Sequence, residues 1–258
     1  MVKGLYTAYT GMINQEHRMD VLTNNLANAD TNGYKKEGAT AQSFDSILAY
    51  KIKDNSEGYR LAKRTGVHNP GVKIGEGYTD FSQGPLKTTE NLYDLALTDK
   101  GFFAVEFTNK QGETSVKYTR DGNFTLNEAG ELVTQDGDRV LGTNSQPVKI
   151  DPLKDTQINV QGQVIQDGRV VATIQVTDFE DYNYLQRYGE NYFEPIDGAT
   201  EKDATAKVYA GYLETSNISV VTEMVNMITV SRAYETNQKV ITTYDGTLDI
   251  AANQLGKV

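Results

Sequence analysis

The sequence predicts an α+β chain: a discontinuous domain of paired long N- and C-terminal helices, coiled-coil-like, around a central antiparallel all-β domain. Three observations predict it. Apolar residues recur at helical spacing at both ends. All five prolines, at 70, 85, 147, 152 and 195, lie between those ends. From Leu92 onward, short alternating runs are separated by turn residues roughly every eight positions, the spacing of hairpins. The expected division is 1–35 with 210–258 as the helical domain, 36–91 as an extended Gly/Pro-containing arm, and 92–209 as the β domain.

The first helix is expected from about Gly4 to Asn28, because Leu5, Ala8, Met12, Gln15, Met19, Leu22 and Leu26 follow a three-and-four spacing. Asn28-Ala29-Asp30-Thr31-Asn32-Gly33 ends it with residues that favour turns and left-handed conformations. Phe44 to Tyr50 has the spacing of a helical turn or two. Gly66, Pro70, Gly71, Gly75, Gly77, Gly84 and Pro85 then exclude a packed helix and predict an arm lying over something else.

Asp94–Leu97 and Gly101–Phe107 read as paired strands. Runs at 116–119, 123–126, 131–134 and 139–141 follow, parted by Asp121-Gly122, Asn127 to Gly130 and Asp136-Gly137. A second β run spans 158–176 with Asp167-Gly168 as its turn. The last helix, Asn217 to Gly256, places Val220, Met227, Tyr234, Ile241, Leu248 and Leu255 every seventh residue, with a mixed row from Met224. At ~1.5 Å per residue it is roughly 60 Å long and outgrows a first helix of about 25 residues. Val221, Val225, Ile228 and Val230 lie off its main row and leave an apolar flank for other chains to cover.

The composition excludes several classes. A net charge of −10, with Lys35-Lys36 and Lys63-Arg64 as isolated basic pairs, argues against nucleic acid. The absence of cysteine removes disulfides and thiolate chemistry. No apolar run reaches the ~18–20 residues of a membrane helix, and Met1 to Gly11 lacks the core of a cleaved secretory signal. His17 and His68 stand apart, so no catalytic, metal or cofactor residues are expected. One rival reading uses Asp178, Glu180 and Asp181 with the aromatic patch Tyr182 to Tyr192: a secreted carbohydrate-active protein acting on peptidoglycan through its β domain. Another is a soluble coiled-coil oligomer of fixed size.

Three stretches carry a resemblance. Asn24-Asn25-Leu26-Ala27-Asn28-Ala29-Asp30-Thr31-Asn32-Gly33-Tyr34-Lys35 resembles the N-terminal signature of the bacterial flagellar rod and hook proteins. Leu213 to Val221, Glu223 to Ile228 and Arg232 to Glu235 resemble that family's C-terminal signature. Asp94–Leu97, Gly101-Phe102-Phe103 and Tyr118-Thr119-Arg120-Asp121-Gly122-Asn123-Phe124 are similar to its central β segment. Asn32 before Gly33, and Asp245-Gly246 in the last helix, depart from the pattern; Gly246 should weaken that helix by ~1 kcal/mol.

The resemblance implies a structural subunit and not an enzyme, polymerising through its terminal helices into a hollow helical shaft of the basal-body rod. The distal-rod type is favoured over the similar-sized proximal subunit. It implies neighbouring rod and hook subunits and the flagellar type III export apparatus as partners, no cofactor, and a place outside the cytoplasmic membrane. The helix seam would be Leu5, Met12, Met19, Leu22 and Leu26 with Val220, Met224, Met227, Tyr234, Ile241 and Leu248, within or between subunits. The joint where the chain leaves the helices would be Asn24, Asn25, Asn28, Thr31, Gly33 and Tyr34, with Gly33 free to take positive φ.

Overall fold

The computed structural model of the chain describes residues 2–51, 63–189 and 191–253; Leu255 of the heptad row lies outside them. The chain forms two compact units, each discontinuous. The first comprises Met1–Ala27, Glu37–Asp80 and Ser219–Val258, the second Asn28–Lys36 and Phe81–Ile218. Residues 37–80 of the expected arm therefore group with the terminal helices, and 81–91 with the β-rich unit.

In the first unit the helices are α1 (Val2–Ala27) and α2 (Val220–Asn253). They run antiparallel against each other, with Gly4 facing Tyr244 and Gly11 facing Asn237. A Cβ on Gly11 would stand 3.0 Å from Asn237 Nδ2, and one on Gly4 would overlap the Tyr244 hydroxyl. Glycine at these positions leaves the room that the Tyr244 and Asn237 side chains occupy. At its start, α2 has the Glu223 N–H donating to the Ser219 carbonyl at 3.0 Å.

An antiparallel strand pair lies beside α1. β1 (Glu37–Ser43) pairs antiparallel with β4 (Val72–Thr79), from Glu37 opposite Thr79 to Ser43 opposite Val72. Farther out, β2 (Ile47–Lys51) pairs with β3 (Lys63–His68). The helical turn expected at Phe44–Tyr50 is thus a strand, because residues 63–68 supply cross-strand partners for its backbone groups. Thr7 Oγ1 donates to the Pro70 carbonyl at 3.2 Å and Asn14 Nδ2 to that of Lys73 at 3.5 Å, joining this segment to the helix.

The second unit begins with β5 (Leu86–Thr88), β6 (Leu95–Thr98), β7 (Phe102–Thr108) and β8 (Thr114–Thr119). β9 (Phe124–Leu126), β10 (Leu132–Thr134) and β11 (Arg139–Val140) form two successive hairpins, and Asp136-Gly137 turns the second. β12 (Thr156–Ile158), β13 (Gln163–Gln166) and β14 (Arg169–Thr173) make a three-stranded sheet that turns at Asp167-Gly168, both residues at positive φ. The remaining strands are β15 (Val176–Phe179), β16 (Leu185–Tyr188), β17 (Tyr192–Pro195), β18 (Glu201–Asp203), β19 (Lys207–Ala210) and β20 (Tyr212–Glu214). The main sheet is nine-stranded and runs β16-β17-β8-β7-β11-β10-β9, with β15 joining β7 to β18.

Two expectations fail in this unit. Asp94–Leu97 does not pair with Gly101–Phe107: β6 pairs with β19, Leu95 opposite Ala210. Leu95, Ala96 and Leu97 are all buried, so this run needs cover on both faces and takes a distant partner. Asp121-Gly122 is not a hairpin turn either. The Gly122 carbonyl accepts from the Leu95 N–H at 2.9 Å, and its Cα lies so close to Leu95 that a side chain would overlap that residue's carbonyl.

β7 organises the core by simple alternation. Phe103 and Val105 point into a cluster with Leu95, Leu132, Val140 and Val164. Phe102 and Ala104 point the other way, toward Tyr118, Phe179 and Phe193. A strand with both faces buried has to read as a continuous apolar run, as Phe102-Phe103-Ala104-Val105 does. Among the described residues, no helix is long and apolar enough to cross a membrane.

Candidate assembly surface and joint

In the first unit the residues expected along the seam divide by exposure. Leu5, Met12, Met19, Leu22 and Leu26 are half-buried, as are Met227, Tyr234 and Ile241; Val220, Met224 and Leu248 are exposed. The innermost row of α2 is a different one. Glu223 and Val230 are buried, in seven-residue step with Asn237 and Tyr244, which meet Gly11 and Gly4. Beside that row, Val221 (73% exposed), Met224, Val225 (57%) and Ile228 form an apolar stripe at three-and-four spacing that faces solvent.

The joint is built from backbone-capping side chains. In the first unit, buried Asn25 donates through Nδ2 to the Glu37 carbonyl at 2.8 Å and accepts from the Glu37 N–H at 3.0 Å, closing the chain as it enters β1. Asn24 is exposed.

In the second unit, Thr31 Oγ1 donates to Asn28 Oδ1 at 3.2 Å, and the Thr31 N–H donates to the Asn28 carbonyl. Gly33 takes φ +68° and donates its N–H to the Glu214 carbonyl at 2.8 Å. Tyr34 is buried, with the Arg187 guanidinium 4.3 Å from its ring centre. Asn191 Nδ2 reaches the Asn32 carbonyl at 2.7 Å. The Lys36 N–H donates to Asn217 Oδ1 at 2.8 Å.

Sequence reasoning missed the centre of this joint. Glu214, 1% exposed, accepts on Oε1 from Lys35 Nζ at 2.6 Å and on Oε2 from Arg120 Nη1 at 3.2 Å. Lys35 also donates to the Ser82 carbonyl at 2.8 Å, and Arg120 Nη2 to that of Asp99. Burial lowers the Arg120 pKa and the Glu214 carboxylate opposes that shift. The three stretches that carry the family resemblance thus meet on one buried carboxylate. A charged residue inside each of them (Lys35, Arg120, Glu214) was the available signal; Lys35 read instead as half of an isolated basic pair.

Next to it, the Asp121 carboxyl is pushed up to about 6, first by burial and then by Asp136 and Asp94. The Asn123 N–H and Asn191 Nδ2 pull the other way.

The candidate catalytic acids have structural partners. Buried Asp178 accepts on Oδ1 from the Phe179 N–H at 2.9 Å and from the Tyr182 hydroxyl at 2.6 Å. Asp181 caps the short 3₁₀ turn Tyr182–Tyr184 by accepting from the Asn183 N–H, and Glu180 is exposed. Tyr182 itself packs on Phe81 and Phe102. Among the described residues, no cluster of acidic or histidine side chains could hold a metal ion.

Comparison with known proteins agrees with this picture. Three family descriptions match in chain order: "Flagella basal body rod protein" over residues 5–35, "Flagellar hook protein FlgE/F/G D1 domain" over 96–172, and "Flagellar basal body rod FlgEFG protein C-terminal" over 209–255. The chain is 34% identical to the flagellar hook-basal body complex protein FlhO of Bacillus subtilis over all of both chains. It is 34% identical to the basal-body rod protein FlgG of Caulobacter vibrioides, covering 98% of this chain and 99% of that one. With the rod protein FlgF of the same organism it shares 32% over the full length of both. From the matched ends, the matched centre and these full-length relatives, the chain belongs to the flagellar basal-body rod and hook proteins, a family of structural components and not of enzymes.

Proposed function

We propose that the chain is a structural subunit of the flagellar basal-body rod that self-assembles through α1 and α2 into a hollow helical shaft, transmitting torque and letting export substrates pass. The observation that carries this is the solvent-facing stripe Val221, Met224, Val225 and Ile228 on a 34-residue helix. Burying what remains exposed of each side chain would contribute on the order of 1 kcal/mol, and the contact repeats with every added copy. Buried against a different surface of the next copy, the stripe makes a heterologous contact, which grows an open helical filament when its rotation does not close.

In this reading residues 1–35 and 210–258 polymerise, 36–91 reaches along a neighbour and 92–209 forms the outer β portion. The helices pair coiled-coil fashion through the seam from Leu5 to Leu26 and Val220 to Leu248, with parts of it completed by adjacent copies. Asn24, Asn25, Asn28, Thr31, Gly33 and Tyr34 act as the joint. The partners are further copies, neighbouring rod and hook subunits, and the export apparatus. The chain works outside the cytoplasmic membrane, in the periplasm or cell wall. The distal-rod type, drawn from the Gly- and Pro-punctuated stretch 66–85, is part of the proposal.

The test is concentration-dependent assembly. Purified chain should form open-ended filaments by electron microscopy and sediment as a growing distribution. The double substitution Val225→Glu, Ile228→Glu should keep the far-ultraviolet spectrum and stop growth. Closed dimers or trimers at every concentration would end the proposal.

A further inference from the structure

The Lys35–Glu214–Arg120 cluster lies within the second unit, at the point where both chain ends depart for their helices. Glu214 makes four contacts there. Oε1 takes the Lys35 ammonium at 2.6 Å and the Gly84 N–H at 2.9 Å, Oε2 takes Arg120 at 3.2 Å, and the backbone carbonyl takes the Gly33 N–H at 2.8 Å. Three residues on, Asn217 Oδ1 accepts the Lys36 N–H, while its Nδ2 donates to Ser82. The three ionic side chains are 1%, 1% and 4% exposed, so none can exchange its partner for water without the site opening.

Neither hydrophobic cluster of this unit draws a residue from 28–36 or 211–218. Besides buried Tyr34 and Leu213 and the pairing of β20 with β5, polar contacts centred on Glu214 hold the roots to this unit. Lys35 and Glu214 stand 179 positions apart in the chain.

We propose that Glu214 is a latch: it fixes the root of α1 and the root of α2 at one place on the β-rich unit, and it closes only when both ends of the chain are present. In a chain delivered from its N-terminus, residues 28–36 stay unfastened until residue 214 arrives, even with β7 to β11 already paired. The ordered joint is then a signal that the molecule is complete. This inference stands on the geometry of one subunit and does not require the rod reading.

Amide hydrogen exchange on the full chain tests it. In Glu214→Gln, the amides of Gly33, Lys36 and Gly84 should exchange at least about tenfold faster, while those of Val105 and Leu132 change less than about twofold. Lys35→Met removes one arm of the latch and leaves Arg120 and Gly84 on the carboxylate, so it should give the same pattern at smaller amplitude. Unchanged exchange at Gly33 and Lys36 would overturn the proposal, as would equal acceleration at Val105 and Leu132. Should Glu214→Gln not fold, Lys35→Met decides: local acceleration supports the latch, and parent-like exchange at all five amides overturns it.

Discussion

Gly33 holds a φ of +68° with its missing side chain aimed at the backbone of Arg120 and Asp121, where a Cβ would come within 2.5 Å. Gly33→Ala therefore meets two penalties, the left-handed backbone at about 1–2 kcal/mol and a clash with main chain that cannot rotate away. We expect a fall of at least about 2 kcal/mol in unfolding free energy, read by denaturant titration. Asp121 gives a pH signature. Its folded carboxyl holds the proton up to about 6, against the ordinary value of 3.8. The native state thus binds more protons than the unfolded state between those values, and stability from this group, complete below pH 4, is lost as pH rises through 6. Relative to the parent, Asp121→Asn should gain about 2 kcal/mol between pH 4 and pH 7; parallel stability profiles would refute this. Positive φ at Gly33 was readable from its place after a helix end. Its reason was not, because it lies in Arg120 and Asp121, far along the chain.

Helix existence at both ends was legible at the scale of elements, and observed limits differ from expected ones by only a few residues. The part of the α1 face that glycine forms was not. Apolar periodicity counts large side chains and put Leu and Met at the seam, and it gave no sign that Gly4 and Gly11 face Tyr244 and Asn237 of α2. Small residues carry no hydropathy signal, yet they leave room for a facing side chain. Gly11→Leu should drive α1 from Asn237, cost about 1–3 kcal/mol through overpacking, and lower the helical signal on melting by circular dichroism. Strands were read from alternation and turns, and the local hairpins β9–β10, β10–β11 and β13–β14 follow from that. The pairing of β6 with β19 does not, since a run buried on both faces contains nothing that names its partner.

For the whole molecule, both units are assembled from separated stretches of chain, so a truncation acts according to which unit owns the deleted residues. Deleting 1–27 should leave the thermal transition of the second unit in place and abolish polymerisation. Deleting 1–36 should also lower that transition, by several degrees for a loss of about 2 kcal/mol, as the Gly33, Tyr34 and Lys35 contacts go with it. Differential scanning calorimetry separates the two outcomes. The family resemblance was legible because its three motifs are local strings; their convergence on Glu214 required the fold.

Asn217 joins the Lys36 N–H to the Ser82 main chain and hydroxyl, so the two sides of the 37–80 excursion are stapled to one asparagine. That fixes residues 36 and 82, where the excursion leaves and rejoins the β-rich unit, at one point of that unit. A short Gly-Ser connector from Lys36 to Phe81 could replace the excursion, and hairpins of other lengths could be grafted at the same socket without rethreading the β-rich unit.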